Sequence, residues 1–203
     1  MKNIDFNDLK VIDLETCGLS PKPPKRTPRY IQDSILNPLG CEILEIGVTE
    51  IINQKIGKNY SRLIKPKKPI PKNITEITHI SEELVKDAKS LEDVLPAFRE
   101  YLGDSLVIGH NVKFDVGFLN YFLGLMGLPL ITRYVCTLEM LKNIKSYKGE
   151  NNKLGTACEY YNIKLLNAHR AYADTYATAQ LLLKLLDEIG GIEHLPVTYL
   201  DIF

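Results

Sequence analysis

Leu9-Lys10-Val11-Ile12-Asp13-Leu14-Glu15 reads as a buried strand in which alternation sends Asp13 and Glu15 to the same face. Two like charges side by side in a core cost several kcal/mol unless something strongly positive sits between them, and an oxygen-seeking divalent cation is the usual answer. The stretch therefore reads as metal-holding, and the rest of the chain is read outward from it.

The strand breaks at Gly18, and a second apolar run follows at Ile43 to Ile52 with Gly47 inside it. Between them, Ser20 to Gly40 holds Pro21, Pro23, Pro24, Pro28 and Pro38 with Lys22, Lys25, Arg26 and Arg29 against a single acid, Asp33. This composition predicts a long loop or flap with a short element around Tyr30 to Leu36. A third strand is predicted at Tyr60 to Ile64, leading into Lys65-Pro66-Lys67-Lys68-Pro69-Ile70-Pro71-Lys72, which the prolines keep extended. Ser90-Leu91-Glu92-Asp93 resembles a helix cap, after which Leu91, Val94, Leu95, Phe98 and Leu102 recur at helical spacing. Ser105 to Gly109 reads as a strand, and Val112, Val116, Leu119 and Leu123 trace one stripe of a helix entered at His110-Asn111, with Asp115 in its first turns. Short helices around Leu138 to Ile144 and Leu154 to Tyr161 precede a long one from Ala171 to Ile189, stopped by Gly190-Gly191.

The chain has 203 residues, 45% of them apolar, and the expectation is one α/β domain over 1–203 with a basic insertion at 20–40 and a C-terminal tail at 190–203. Lys plus Arg and Asp plus Glu both number 25, so no global positive field exists, and any polyanion site must be built from local charge and metal. Four cysteines without a C-x-x-C pair and a polar N-terminus predict a reduced, cytoplasmic protein. No run approaches the roughly 18 apolar residues of a membrane helix.

Asp174 shares a stripe of the last helix with Ala177, Leu181 and Leu185, so a third carboxylate faces the core. His169 stands five residues earlier and converges with Asp174 only if it sits on the preceding loop. A solvent-reachable histidine there has the intrinsic titration range that suits taking a proton from water. His79, His110 and His194 read more comfortably as ordinary surface or packing residues.

Three blocks in order now carry a resemblance: Asp13-Leu14-Glu15-Thr16-Cys17-Gly18-Leu19 is similar to D-x-E-T-x-G-L. His110-Asn111-Val112-Lys113-Phe114-Asp115 is similar to H-N-x-x-F-D, and His169-Arg170-Ala171-Tyr172-Ala173-Asp174 to H-R-A-x-x-D. The chain resembles the DEDDh branch of the DnaQ-like 3′→5′ exonucleases, the group of bacterial proofreading subunits and ribonuclease T, from about Leu9 to Leu186. The resemblance implies a ribonuclease H-like α/β fold, a central mixed sheet flanked by helices. It implies Asp13, Glu15, Asp115 and Asp174 as ligands of two divalent ions, Mg²⁺ or Mn²⁺, and His169 as general base. It further implies substrate contacts at Thr16, Gly18, Leu19, Asn111 and Phe114, and a structural role for Glu45 within Ile43-Leu44-Glu45-Ile46-Gly47.

The implied activity is removal of 5′-mononucleotides from single-stranded 3′ ends, with DNA the leading substrate and a DNA polymerase a possible partner. RNA exonuclease activity and a non-catalytic nucleic-acid-binding or polymerase-associated subunit are the alternatives, with a small-molecule phosphohydrolase a third. Tyr134-Val135-Cys136-Thr137-Leu138 departs from the family's V-x-D-T-L, which puts one peripheral polar contact in doubt. The insertion after Leu19 departs as well, since many relatives have only a short turn there.

Overall fold

The structure, a computed structural model, describes residues 4–28 and 31–201. Six strands form one mixed sheet: β1 (Asp8–Thr16), β2 (Ile43–Ile52), β3 (Lys55–Leu63), β4 (Leu106–Gly109), β5 (Arg133–Cys136) and β6 (Thr198–Tyr199), in the order β3-β2-β1-β4-β5-β6. β1 runs antiparallel to β2 and parallel to β4, β4 is parallel to β5, and the two edge strands are antiparallel to their neighbours. The helices are α1 (Lys72–Thr78), α2 (Glu82–Val85), α3 (Leu91–Leu102), α4 (Lys113–Leu125), α5 (Thr137–Asn143), α6 (Leu154–Tyr160) and α7 (Ala171–Ile189). This is the central mixed sheet flanked by helices that the motifs imply.

Alternation along β1 sorts the core into two layers. Ile12 and Leu14 pack with Val48, Phe98, Phe118 and Phe122 under α3 and α4. Leu9 and Val11 pack on the opposite face with Leu181, Leu182 and Leu185 of α7 and with Met140 and Cys158 of α5 and α6. The ladder with β2 keeps its register up to Glu15 and shifts only between Glu15 and Thr16, so Asp13 and Glu15 continue the Leu9/Val11 row toward α7. Lys10, on the other row, is buried but paired with Asp8 and Glu50, so its charge is compensated inside the sheet.

Two glycines set how closely helices approach β1. Gly47 is the cross-strand partner of Asp13, and a Cβ there would lie 2.4 Å from the carbonyl oxygen of Ala171. Only a hydrogen at that position lets the first turn of α7 rest on the sheet. Gly109 ends β4 where a Cβ would meet Val112 at 2.7 Å and the Ile12 carbonyl at 2.9 Å. Asn111 then takes φ 62, a left-handed value that Asn tolerates, and the chain turns tightly into α4.

Several predicted boundaries shift. β3 starts at Lys55, not near Tyr60, because Asn53 and Gln54 both adopt positive φ (49 and 59) and close a two-residue hairpin pairing Ile52 with Lys55. Ser90 precedes α3 as predicted, but its hydroxyl donates to Asp93 and caps no backbone N–H. In the insertion, Arg29 and Tyr30 lie outside the described residues, and residues 31–36 of the predicted short element are neither helix nor strand. The segment expected to be a tail contributes β6 against β5 and buries Leu195.

Gly47→Ala is expected to destabilise by about 1–3 kcal/mol, because the methyl group must push α7 off β2. Gly117→Ala, in α4 where a Cβ meets nothing within 4 Å, is expected to be neutral or to stabilise by about 0.4–1 kcal/mol. Denaturant melts of the two variants check the contrast, and equal losses would show that glycine content rather than close approach matters.

Candidate active site and metal centre

Asp13 and Glu15 project from β1 onto the face that α7 covers, and Asp174 comes from the first turn of α7. One carboxylate oxygen from each of the three lies within 4.8 Å of the others. Gly47 makes this possible, since it seats the α7 N-terminus beside the Asp13 rung. Asp174 is held by one oxygen: its Oδ2 accepts the His169 backbone N–H at 3.1 Å, while its Oδ1 is buried without a hydrogen-bond partner. A buried, unsatisfied carboxylate oxygen on a residue that converges with two other carboxylates fits a cation's coordination position.

Asp115, buried in the first turn of α4, reaches the same strand from the other side. Its Oδ1 accepts the Leu14 N–H at 2.9 Å, between the two acids of β1. It stands outside the 4.8 Å group, yet its charge acts on Asp13. The sequence-predicted carboxylates thus share one electrostatic neighbourhood, three in direct convergence and Asp115 beside them.

Burial is the first cause of every upward shift here. It pushes Glu15 to about 8, helped by the charges of Asp174, Glu45 and Asp115 and opposed by Arg170. Asp115 also rises to about 8 through burial, although its own N–H and that of Leu14 favour the ionised form. Asp13 lies well above the usual carboxylate range, from burial and then from Asp115, Asp174, Glu15 and Glu45. Asp174 is raised by burial and partly relieved by the His169 N–H. A set of acids that resists ionising together, in an oxygen-only cluster, is what a divalent cation would neutralise.

His169 lies on the loop before α7, as its spacing requires, exposed and with φ 65. His110 is the opposite case. It is largely buried, with Nε2 hydrogen-bonded to the Asn152 carbonyl at 2.9 Å and Nδ1 to the Thr137 hydroxyl at 3.0 Å, and burial lowers its pKa to about 4. It is a neutral structural histidine. Thr16 donates to the Gly18 carbonyl at 2.7 Å, Leu19 is 90% exposed, and Asn111 is exposed at the entrance to α4. Phe114 is half-buried and packs on Phe118. These five predicted substrate contacts therefore sit on the segments immediately adjoining the acids. Cys136, where the family motif often has Asp, is packed in the core.

Glu45, fully buried, accepts from Ser61 at 2.6 Å, from Nε and Nη2 of Arg170 at 3.0 Å each, and from the Ala171 N–H at 3.1 Å. Its structural character matches the resemblance. The partner was missed: Arg170 lies 125 positions from Glu45, and no local pattern ties the two.

A ribonuclease H-like sheet bearing carboxylates on its central strand and on the first turns of two covering helices defines a nuclease-type centre. Residues 11–182 match the RNase_T family model, described as exonuclease, and the chain belongs to this family of DnaQ-like 3′–5′ exonucleases. It is 36% identical over 183 residues to a DNA polymerase III PolC-type of Caldanaerobacter subterraneus subsp. tengcongensis and 29% identical over 200 residues to that of Staphylococcus epidermidis. These alignments cover 90% and 97% of the chain but only 12% and 13% of the polymerases. Among solved structures, exonuclease X in complex with 5′ overhanging duplex DNA superposes with TM-score 0.68 and 26% identity over 92% of this chain and 96% of that one. The nuclease domain of 3′hExo bound to rAMP gives TM-score 0.72 at 16% identity, covering 96% and 98%, a likeness of fold.

The raised acids carry a sign for stability. Between the ordinary carboxylate range near 4 and the folded value of about 8, Glu15 and Asp115 hold protons in the native chain that the unfolded chain releases, so stability falls as pH rises through that window. In EDTA the melting temperature is expected to be higher at pH 5 than at pH 8, Mg²⁺ or Mn²⁺ to restore it chiefly at pH 8, and Glu15→Gln to flatten the slope. A metal-free melting temperature that rises from pH 5 to 8 would contradict the arrangement.

Proposed function

We propose that this chain hydrolyses phosphodiesters from single-stranded 3′ ends, DNA in the first instance, releasing 5′-mononucleotides with the help of two divalent cations, Mg²⁺ or Mn²⁺. The observation that carries this reading is the convergence of Asp13, Glu15 and Asp174 within 4.8 Å, with one buried Asp174 oxygen left unpartnered. The all-oxygen donor set favours hard cations over zinc. Asp13, Glu15, Asp174 and Asp115 would hold them, and bound there they would supply positive charge for the scissile phosphate and departing oxygen, and lower the pKa of the attacking water.

The residues of the chain do the rest. His169, exposed on the loop whose backbone N–H is tied to Asp174, takes the proton as the water oxygen bonds to phosphorus and the P–O3′ bond breaks. The 3′ oxygen remains on the shortened strand and the phosphate leaves on the 5′ oxygen of the released nucleotide. Thr16, Gly18 and Leu19 at the exit of β1, with Asn111 and Phe114 at the start of α4, line the position of the terminal nucleotide. The DNA preference is supported by exonuclease X, solved with DNA, and by the PolC-type polymerases. The same similarity supports association with a DNA polymerase.

With 5′-labelled single strands of matched DNA and RNA sequence and Mg²⁺, the parent is expected to shorten DNA from the 3′ end and to stop in EDTA. Asp13→Asn and Asp174→Asn are expected to abolish cutting, and His169→Ala to lower turnover by roughly 10² to 10⁴ with divalent-ion binding retained. Near-normal turnover by Asp13→Asn would exclude the mechanism. An unchanged rate and pH profile in His169→Ala would remove that residue from the role of base.

A further inference from the structure

We infer that the described parts of the insertion, residues 20–28 and 31–40, and the neighbouring loop 65–72 form one basic surface that grips the sugar-phosphate backbone of the substrate outside the carboxylate cleft; this rests on the nuclease reading above. The chain is neutral overall, with 25 basic and 25 acidic residues, so a local excess of positive charge is an arrangement of the fold rather than a consequence of composition. Lys22, Lys25 and Arg26 are exposed, and none forms an ion pair among the described residues. The single acid of the insertion does not offset them. Asp33 turns inward, its Oδ1 accepting the Leu39 N–H at 2.8 Å and its Oδ2 buried.

The insertion is fixed where it leaves the site. The Cys41 N–H donates to the Ser20 carbonyl at 2.8 Å, Pro21 and Pro38 are buried, and Gly40 lies so close to Pro21 that a Cβ would be 2.0 Å from its carbonyl oxygen. This stem begins five residues after Glu15 and directly follows Leu19. At the stem the second loop joins, through Lys68 Nζ donating to the Gly40 carbonyl at 2.9 Å.

The acids around that loop leave much of its charge uncancelled. Glu42 is buried and accepts the backbone N–H groups of Lys67 and Lys68 at 2.7 and 3.0 Å, so it anchors the main chain. Lys67 pairs with Glu92 and Lys86 with Glu83. Lys65 and Lys68 instead donate to neutral carbonyls, and Lys72 is exposed at the start of α1. Six cations, Lys22, Lys25, Arg26, Lys65, Lys68 and Lys72, thus span two joined loops without a carboxylate partner among the described residues. A groove of about 440 Å³ runs along the second loop, lined by four lysines, Lys65, Lys67, Lys68 and Lys86, against two acids, Glu82 and Glu83. Repeated, spaced phosphates match such a surface, and each phosphate neutralised contributes about 0.7 to the slope of log affinity against log salt for a single strand.

The test compares the parent with K22A/K25A/R26A and with K65A/K72A, on a trinucleotide and on a 20-nucleotide strand. Fluorescence anisotropy in EDTA measures binding without cutting, and Mg²⁺-dependent degradation is measured separately. On the long strand the triple variant is expected to lose about 2 units of salt slope and to bind at least tenfold more weakly, with K65A/K72A losing about 1 unit. On the trinucleotide, which fills only the cleft, kcat and KM of both variants are expected to stay within twofold of the parent. A parent-like salt slope on the long strand for both variants would overturn the inference and leave an acidic protein as the partner of this surface. Equal losses on the two substrates would overturn it too, because the loops would then act on the cleft itself. A parent that binds with the full slope but degrades neither substrate would count against the proposed activity and not against the surface.

Discussion

The seating of α7 on β2 is the constraint on which the site depends. Asp174 must stand within a few ångströms of Asp13 and Glu15, and like charges at that range push apart. What opposes them is a clamp two residues along the sheet. Glu45, opposite Glu15 in the ladder, grips both the Arg170 guanidinium and the Ala171 N–H, and Gly47, opposite Asp13, leaves room for the Ala171 backbone. Removing one partner of a fully buried pair typically costs about 3–5 kcal/mol, and the partial exposure of Arg170 brings the cost here below that range. The clamp therefore holds the acids together by itself, so a cation bound there would relieve their repulsion and would not have to assemble the cleft.

That division of labour explains how far the sequence could be read. β1 and α7 are long enough for their periods to show, so the row Leu9, Val11, Asp13, Glu15 and the stripe Asp174, Ala177, Leu181, Leu185 were legible with the faces the structure gives them. His169 was legible as a loop residue because five positions cannot bring it round to Asp174 on a helix. β6 and α2 have two and four residues, too few for alternation or a helical stripe to stand out, and α1 begins at Lys72, the last residue of the stretch whose prolines read as extended. Gln54 hid the hairpin because the second position of such a turn usually carries Gly. The Glu45–Arg170 clamp has no local signature at all, since its halves meet only after the sheet is covered.

The two histidines of the motif blocks show why geometry must accompany sequence in assigning a base. His110 has both ring nitrogens engaged and is held neutral by burial, with its pKa lowered to about 4; its ring ties β4 to α5 through Thr137 and to the loop before α6 through Asn152. Protonation there would cost a buried charge and one of its hydrogen bonds. His169 has its main chain fixed to Asp174 and its side chain exposed on the loop before α7, where its charge acts on Asp174. Of the two, only His169 combines a fixed position beside the acids with an exposed side chain, which supports its role as base.

The placement of charge follows the same logic on a larger scale. Inside the cleft the fold concentrates negative charge on the central strand and first helical turns, which a polyanionic substrate alone would avoid. A cation there can reverse the sign of the field, but only over a short range, because salt screens exposed charges beyond about 8–10 Å. A strand longer than the few nucleotides in the cleft then meets whatever the surrounding surface offers. In a chain with no net charge to spend, that surface must be local, and the insertion directly after Leu19, with its one acid turned inward, is where unpaired cations accumulate. On the proposed function the acids and the basic loops are complementary parts of one electrostatic design: the first would need a cation to accept a phosphate, and the second would hold the phosphates that the cation cannot reach.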